Sequence, residues 1–335
     1  FSIHAAIGAS VNDRTLNTLR YDSKTASLKY PNVFNIANII MNGSAYIEQQ
    51  IDARRQLQSV FGTAQISYLE SLFLDITARN DWSSTLAFTP HEKKGFFYPS
   101  IGGAWIVNKV LKMPEWISFA KLRAVWSQVG NDIPLYITNP VSHVNAGGEI
   151  EPSDSAPFED MKPEETHSIE LGTEWKFFSN CLSMSITYYK TNTLNQFFQL
   201  PSKSGDKYAY RYVNAGNIQN TGWEISLIGF PVSAQFWNWK TELNFSTNKN
   251  KVKRLHEELP VFLYGPHGFS SSYAMKLKEG GAFGDIYGKA FQRDENGQIM
   301  YETEGDRKGL PLVIGDGNTE KVGNAYPDFT LSWNN

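Results

Sequence analysis

Apolar and polar residues alternate with a period of two along much of this chain, a pattern that predicts β-strands. The clearest stretches are residues 72–79, 167–177, 181–190, 220–229 and 237–247, and weaker ones are residues 54–68, 96–107 and 120–129. Each predicted strand has one apolar and one polar face. In the stretch 181–190 the apolar face carries Leu182, Met184, Ile186 and Tyr188. The pattern therefore predicts an all-β fold.

Alternation alone does not separate a membrane barrel from a soluble sandwich, because both bury one face of each strand. Strand length favours the barrel, since several stretches reach ten residues, and a tilted strand needs about 9–11 residues to cross the hydrocarbon layer. Many apolar faces also carry an aromatic residue near a strand end, where interfacial girdles are expected. These residues are Tyr68, Trp105, Trp175, Tyr188, Trp223, Trp237 and Trp239.

The connections between predicted strands alternate between short and long. Short ones fall near residues 69–71, 178–180 and 231–236, and a medium one spans 108–119. Long ones span residues 80–95, 130–165 and 191–217, and another follows residue 250. Outer-membrane barrels have tight turns on one side and long loops on the other, whereas a Greek-key sandwich has no reason to alternate this way. We expect roughly nine to eleven strands of such a barrel, which leaves open edges that could not survive in lipid.

Composition further narrows the classes of protein to which the chain can belong. Aromatic residues make up 14% of the 335 residues and charged residues 19%, which excludes a disordered chain. A single cysteine, Cys181, excludes an internal disulfide framework, and a net charge of −3 gives no electrostatic case for nucleic acid. The sequence contains no apolar run long enough for a transmembrane helix and no signal peptide, and from its ends we expect a fragment or a processed chain.

Catalytic and metal-binding patterns are absent from the sequence. The six histidines are scattered, and the pairs Glu164-Glu165 and Glu257-Glu258 are best explained as solvated charge. The segment Asp294–Gly297 resembles the start of a calcium loop, but position 12 would be Gly305, so a hairpin turn is favoured. We therefore predict no enzyme activity, no cofactor and no metal site.

Aromatic residues in the long loops are the remaining candidates for ligand binding, because their faces can stack on sugars or anchor peptide side chains. The candidates are Trp82, Phe158, Phe197, Tyr208, Tyr210 and Tyr212. The alternative is that these rings pack loop against loop or contact a partner protein.

Several segments, in collinear order over residues 60–335, resemble SusC/RagA-type TonB-dependent outer-membrane transporters. These segments are residues 72–86, 97–100 with 103–105, 121–124 with 128–132, 214–224 and 323–330. Residues 1–59 are less diagnostic. The acidic, glycine-containing stretch that usually precedes the late strand is only loosely kept at residues 294–306, so no ion site is carried over.

The resemblance implies a plugged barrel of about 22 strands in the outer membrane of a Gram-negative cell. Residues 1–335 would be its middle-to-late part, without the plug, the N-terminal extension and the final strands. It further implies import of oligosaccharides, glycans or peptides. The implied partners are outer-membrane lipid, a SusD-like surface lipoprotein, and a TonB/ExbB/ExbD complex acting through the absent N-terminal parts.

Two rival hypotheses remain at this point. One is a soluble all-β glycan-binding or adhesion module, which would pack Leu182, Met184, Ile186 and Tyr188 against a second sheet. The other is an outer-membrane enzyme barrel, for which the sequence offers no candidate active site.

Overall fold

The computed structural model describes residues 1–22, 28–40, 46–144, 149–158, 161–202, 204–214, 216–256, 261–264, 273–315 and 320–335. Helical structure in these residues is limited to three 3₁₀ turns, Ile36–Asn38, Ser84–Leu86 and Val107–Lys109. None of the described helices is long and apolar enough to cross a membrane.

The described residues form twenty strands. They are β1 Ser2–Asp22, β2 Tyr46–Tyr68, β3 Leu72–Ser83, β4 Phe96–Ile106, β5 Ile117–Asn131, β6 His143–Val144, β7 Ile150–Glu151, β8 Glu164–Phe177, β9 Leu182–Leu194, β10 Phe197–Pro201, β11 Tyr210–Asn214, β12 Asn217–Ser233, β13 Asn238–Arg254, β14 Val261–Tyr264, β15 Tyr273–Lys278, β16 Asp285–Gly288, β17 Ala290–Phe291, β18 Val313–Ile314, β19 Glu320–Asn324 and β20 Thr330–Asn334.

Ten of these strands form one antiparallel sheet in the order β1-β2-β3-β4-β5-β8-β9-β12-β13-β20. Sequential neighbours pair throughout, so the sheet is a meander, in agreement with the nine to eleven strands expected. The barrel is not closed, because β1 and β20 are not paired with each other. Shorter strands form small sheets within the long connections, of which the largest is β14-β15-β16-β19.

The register aligns apolar residues across the sheet. Leu171 of β8 lies opposite Tyr188 of β9, which lies opposite Trp223 of β12. Leu171 is 50% exposed and Trp223 is 49% exposed, although both are large and apolar. We call this side of the sheet the apolar face and the opposite side the polar face.

The rival sandwich hypothesis fails on this face. Leu182, Met184, Ile186 and Tyr188 are half-buried, but none of them belongs to a hydrophobic cluster of the described residues. Their partial cover comes from neighbours in the same sheet, as for Tyr188 and Trp223, whose ring centroids are 5.0 Å apart.

The short connections all lie at one end of the strands, which we call the turn edge. Leu69 and Glu70 both adopt positive φ angles, of 50° and 49°, in the turn between β2 and β3. Two successive residues in this region match the twist of a tight hairpin, although glycine or asparagine is usual there. Trp116 stacks on Phe177 at the same edge with ring centroids 5.8 Å apart.

The long connections lie at the other end of the strands, which we call the loop edge. The buried core lies there too. Leu86, Ile133, Ile137 and Met161 form a buried cluster contributed by two different connections, those after β3 and β5. The fold therefore places its hydrophobic core among the loops and leaves the sheet as a single layer.

The structure also corrects three boundaries. Residues 1–22 are a full strand, β1, whereas the sequence pattern gave no clear prediction there. β3 extends to Ser83, so Trp82 lies in a strand and not in the loop 80–95. Within the predicted loop 191–217, β9 continues to Leu194 and a hairpin of β10 and β11 follows.

Candidate functional site

The polar face of the sheet carries charged and hydroxyl side chains at mid-height. Asp75 accepts a hydrogen bond of 2.7 Å from the Gln65 amide of the neighbouring strand. Toward the turn edge the charges pair, with 3.7 Å between Lys121 and Glu174. Strand residues of this kind line the wet or filled interior of a barrel.

Arg123 dominates the centre of the polar face. Its guanidinium donates a 2.7 Å hydrogen bond to Oγ1 of Thr187, and its side chain lies across Gly172, where a Cβ would overlap it. A polar cavity of about 470 Å³ adjoins it, lined in part by Glu224 and Ser246. The absence of a side chain at Gly172 is what lets the long Arg123 side chain lie flat along the wall.

Tyr189 repeats this arrangement two strands away. Its ring lies over Gly222 of β12, and its hydroxyl donates to the backbone carbonyl of Thr247 at 3.4 Å. A large side chain lying over a glycine of the next strand lies flat on the polar face and covers the exposed backbone.

Three of the six candidate aromatics pack at the loop edge. Phe158, Phe197 and Tyr212 are partly buried against the cluster of Leu86, Ile133, Ile137 and Met161. The rings of Phe197 and Tyr212 meet edge to face, with centroids 6.4 Å apart. These three rings join loop to loop, as the alternative hypothesis describes, and their direct contact with a ligand stays a prediction.

The other three candidates lie outside this cluster, and two of them are exposed. Tyr210 is 43% exposed and lies at the start of β11. Its backbone forms hydrogen bonds with the backbones of Ala156 and Asp154. Tyr208 is half-buried, with the ammonium of Lys207 5.3 Å from its ring centroid. Trp82 lies at the end of β3 and is 36% exposed. The structure thus separates two accessible positions, Trp82 and Tyr210, from three that pack on the loop core.

Trp82 borders a groove of about 440 Å³ at the loop edge. The groove is also lined by Gln56, Gln58, Ser84 and Glu92, so one aromatic face meets several hydrogen-bonding groups. This combination suits a hydroxylated or amide-containing ligand.

A polar anchor that the sequence reasoning did not single out ties the loops to the wall. Asp132, just beyond β5, lies 2.6 Å from the Arg55 guanidinium and accepts a 3.0 Å hydrogen bond from Thr85. Thr138 in turn donates to the Thr85 carbonyl at 2.9 Å. Asp132 lies in one of the segments that carry the family resemblance, which was the available signal.

Asp285 plays a comparable part in the connection between β13 and β20. It is 1% exposed and accepts hydrogen bonds of 2.9 Å from both the Ala282 amide and the Asn324 side chain. Lys321 lies 2.6 Å away. Burial alone would raise the pKa of Asp285, but these donors and the lysine charge outweigh it and hold the pKa below its usual value.

Among the residues that the structure describes, the other sequence candidates form no catalytic constellation. The described residues contain no group of three or more His, Cys, Asp or Glu side chains that could hold a metal ion, and Cys181 is exposed. Asp294 accepts from the amides of Asn296 and Gln298 at 2.9 and 2.8 Å, which confirms the predicted turn. The pair Glu257-Glu258 lies outside the described residues.

A single-layer sheet with an exposed apolar face, a polar opposite face and tight turns at one edge only defines part of the wall of a transmembrane β-barrel. Residues 2–309 match the family model described as "TonB dependent receptor-like, beta-barrel". The chain belongs to this family, which places it in the outer membrane.

Curated relatives agree. The chain is 29% identical over 320 residues to TonB-dependent receptor P3 of Formosa agariphila, covering 89% of this chain and 31% of the relative. It is 26% identical over 276 residues to TonB-dependent receptor SusC of Bacteroides thetaiotaomicron, covering 76% and 27% respectively. The chain therefore spans about a third of the length of these relatives. They are receptors, not enzymes, in agreement with the prediction.

A solved structure described as the RagAB peptide transporter has the same fold. Its TM-score is 0.72 at 18% identity, and the match covers 99% of this chain and 36% of that chain.

Proposed function

We propose that the full-length protein imports oligosaccharides or peptides across the outer membrane, and that these 335 residues form the middle-to-late part of its barrel wall. The plug, the N-terminal extension and the final strands belong to the rest of the protein. The observation that carries the proposal is the opposite character of the two faces of one sheet, in a chain of the TonB-dependent receptor family.

The polar face supports passage or plugging of the lumen rather than bond chemistry. Its hydroxyl groups and charges can be solvated or can bind another polar element. The loop edge supports substrate capture, because Trp82 and Tyr210 expose aromatic surface beside hydrogen-bonding groups. The description of a structural neighbour as a peptide transporter favours peptides as one substrate class, and the sequence resemblance to SusC/RagA-type transporters adds oligosaccharides as the other.

Two partners follow from the same proposal. A SusD-like surface lipoprotein closes the mouth of the barrel over the loop edge. A TonB/ExbB/ExbD complex moves the plug through the N-terminal parts of the protein and supplies the energy for import.

The proposal is tested by deleting the gene in its own host and restoring it on a plasmid. Uptake of fluorescently labelled oligosaccharides and labelled peptides is then measured with and without a protonophore. We expect uptake of one substrate class to fall on deletion, to return on complementation and to stop when the protonophore is added. Unchanged uptake of both classes, or recovery of the full-length protein in the soluble fraction, would contradict it.

A further inference from the structure

Three lysines converge on the apolar face of the sheet near the loop edge. Lys190 of β9 and Lys249 of β13 both lie opposite Thr221 of β12, one on each side. Lys251 is one step further along β13, opposite Gln219. Neighbouring strands are about 4.8 Å apart, so the Lys190 and Lys249 backbones are about 10 Å apart.

The register fixes the side on which these lysines lie. Lys190 follows Tyr188 by two residues and lies opposite Ile169, which is 46% exposed on the apolar face. Lys249 shares the row of Lys190 and Ile169 and is exposed, as is Lys251. Within the described part of the chain, none of the three lysines forms an ion pair with a carboxylate.

Their height on the wall corresponds to the upper boundary of the hydrocarbon layer. Lys190 is eight residues from Leu182 at the turn edge, or about 26 Å of strand at ~3.3 Å per residue. At the usual barrel tilt this is about 20 Å of height, in the upper part of an apolar band about 25 Å tall. Lysine side chains there extend to the headgroup region while their stems stay in the apolar layer.

An apolar groove lies directly below the lysines. It has a volume of about 490 Å³, and its apolar lining residues are Leu122, Leu171, Ile186, Tyr188 and Trp223. Thr173, opposite both Leu122 and Ile186, is the small residue that leaves this depression between larger neighbours.

We propose that this surface binds one anionic, phosphate-bearing lipid of the leaflet on the loop side. Its phosphate contacts Lys190, Lys249 and Lys251, and an acyl chain occupies the groove beside Tyr188 and Trp223. The choice of occupant rests on charge complementarity and on the location of the groove within the lipid-facing wall. The inference depends on the proposed position of the chain in an outer-membrane barrel, and it adds a lipid site to that function.

The test uses the purified full-length protein in detergent, with native mass spectrometry after addition of phosphatidylglycerol or phosphatidylcholine at equal concentration. We expect the wild type to retain phosphatidylglycerol at least about tenfold better, since each lysine at an anionic membrane surface contributes about fivefold. The preference should weaken as salt is raised. The triple variant K190Q/K249Q/K251Q should retain both lipids about equally.

A matched control removes the same charge elsewhere. K112Q/K176Q/K240Q lies near the turn edge and should keep the wild-type preference. A second variant, Thr173→Trp, fills the groove and should lower phosphatidylglycerol retention while leaving its salt dependence unchanged.

Each other outcome overturns the inference. A preference that survives in K190Q/K249Q/K251Q, or that falls equally in both triple variants, shows no local site. An unaffected Thr173→Trp variant excludes the groove as the acyl-chain site. Dimers in place of lipid adducts would show a protein interface. If the full-length protein does not enter detergent micelles as a membrane protein, the proposed function itself fails.

Discussion

Gly222 of β12 occupies a position where the wall leaves no room for a side chain. A Cβ at this residue would overlap the backbone carbonyl oxygen of Thr247 in β13 and would lie 2.5 Å from the Tyr189 hydroxyl. The tyrosine ring could move, but the Thr247 oxygen belongs to the paired backbone of β13 and cannot move without disturbing the sheet. We therefore predict that Gly222→Ala forces β12 and β13 apart locally.

The magnitude follows from two opposing effects. Alanine in a strand gains about 0.5 kcal/mol over glycine through lower chain entropy. Overpacking against atoms that cannot relax costs about 1–3 kcal/mol. The expected net loss for Gly222→Ala is about 2 kcal/mol in the free energy of unfolding, because one of the overlapping atoms is backbone.

Gly229 on the same strand is the matched control. A Cβ there would meet only Cγ2 of Thr241, at an ordinary contact distance of 3.5 Å. Gly229→Ala should therefore be neutral or slightly stabilising. The double variant Y189A/G222A should recover only part of the loss, since the clash with Thr247 remains.

The assay is urea unfolding of the full-length protein in detergent, followed by tryptophan fluorescence. Because the slope of the free energy against urea grows with the surface exposed on unfolding, a loss of about 2 kcal/mol lowers the midpoint of the full-length protein by less than about 1 M. A Gly222→Ala midpoint equal to that of the wild type, or an equal loss for Gly229→Ala, would refute the reasoning.

Two further predictions concern the loop edge. Because the folded pKa of Asp285 lies below its usual value, the stability it contributes is present above an unfolded pKa of about 3.9 and is lost as the pH falls through the folded pKa. Asp285→Asn should lower the melting temperature at pH 7 and remove most of this acid sensitivity; an unchanged acid transition would contradict the assignment. Trp82→Ala and Tyr210→Ala should each weaken substrate uptake about 5- to 30-fold if each ring contributes about 1–2 kcal/mol of stacking. The control is Tyr68→Ala at the turn edge, which should leave uptake unchanged, and equal losses at all three positions would argue against a ligand role.

Hydrophobic alternation predicted the wall because large residues mark its apolar face. β9 and β12 were predicted from their Leu, Ile and aromatic residues. β1 was not, although it is 21 residues long. Its alternating positions include Ala5 and Ala9, whose small side chains give a weak signal, and its strand character is supported by pairing with β2 along its length.

The loop aromatics show a second limit of the sequence prediction, which concerns their long-range packing. Sequence reasoning identified Phe197 and Tyr212 but could not show that they pack together on one cluster. Their partners, Leu86 and Ile133, lie more than sixty residues away along the chain, and no local pattern predicts contacts over that separation. Tyr210 lies on the same face of β11 as Tyr212, two residues further on, so alternation does not explain its exposure; Tyr210 is the first residue of the strand and lies outside the cluster.

The cluster of Leu86, Ile133, Ile137 and Met161, with Phe158, Phe197 and Tyr212 packed on it, has a mechanical consequence. It draws residues from the connections after β3, β5 and β9 into one close-packed body, and close-packed interiors transmit displacement rather than absorb it. These three connections therefore cannot open one at a time. A molecule that pulls on the hairpin of β10 and β11 would therefore move the segments beyond β3 and β5 with it, so these three connections respond as one body.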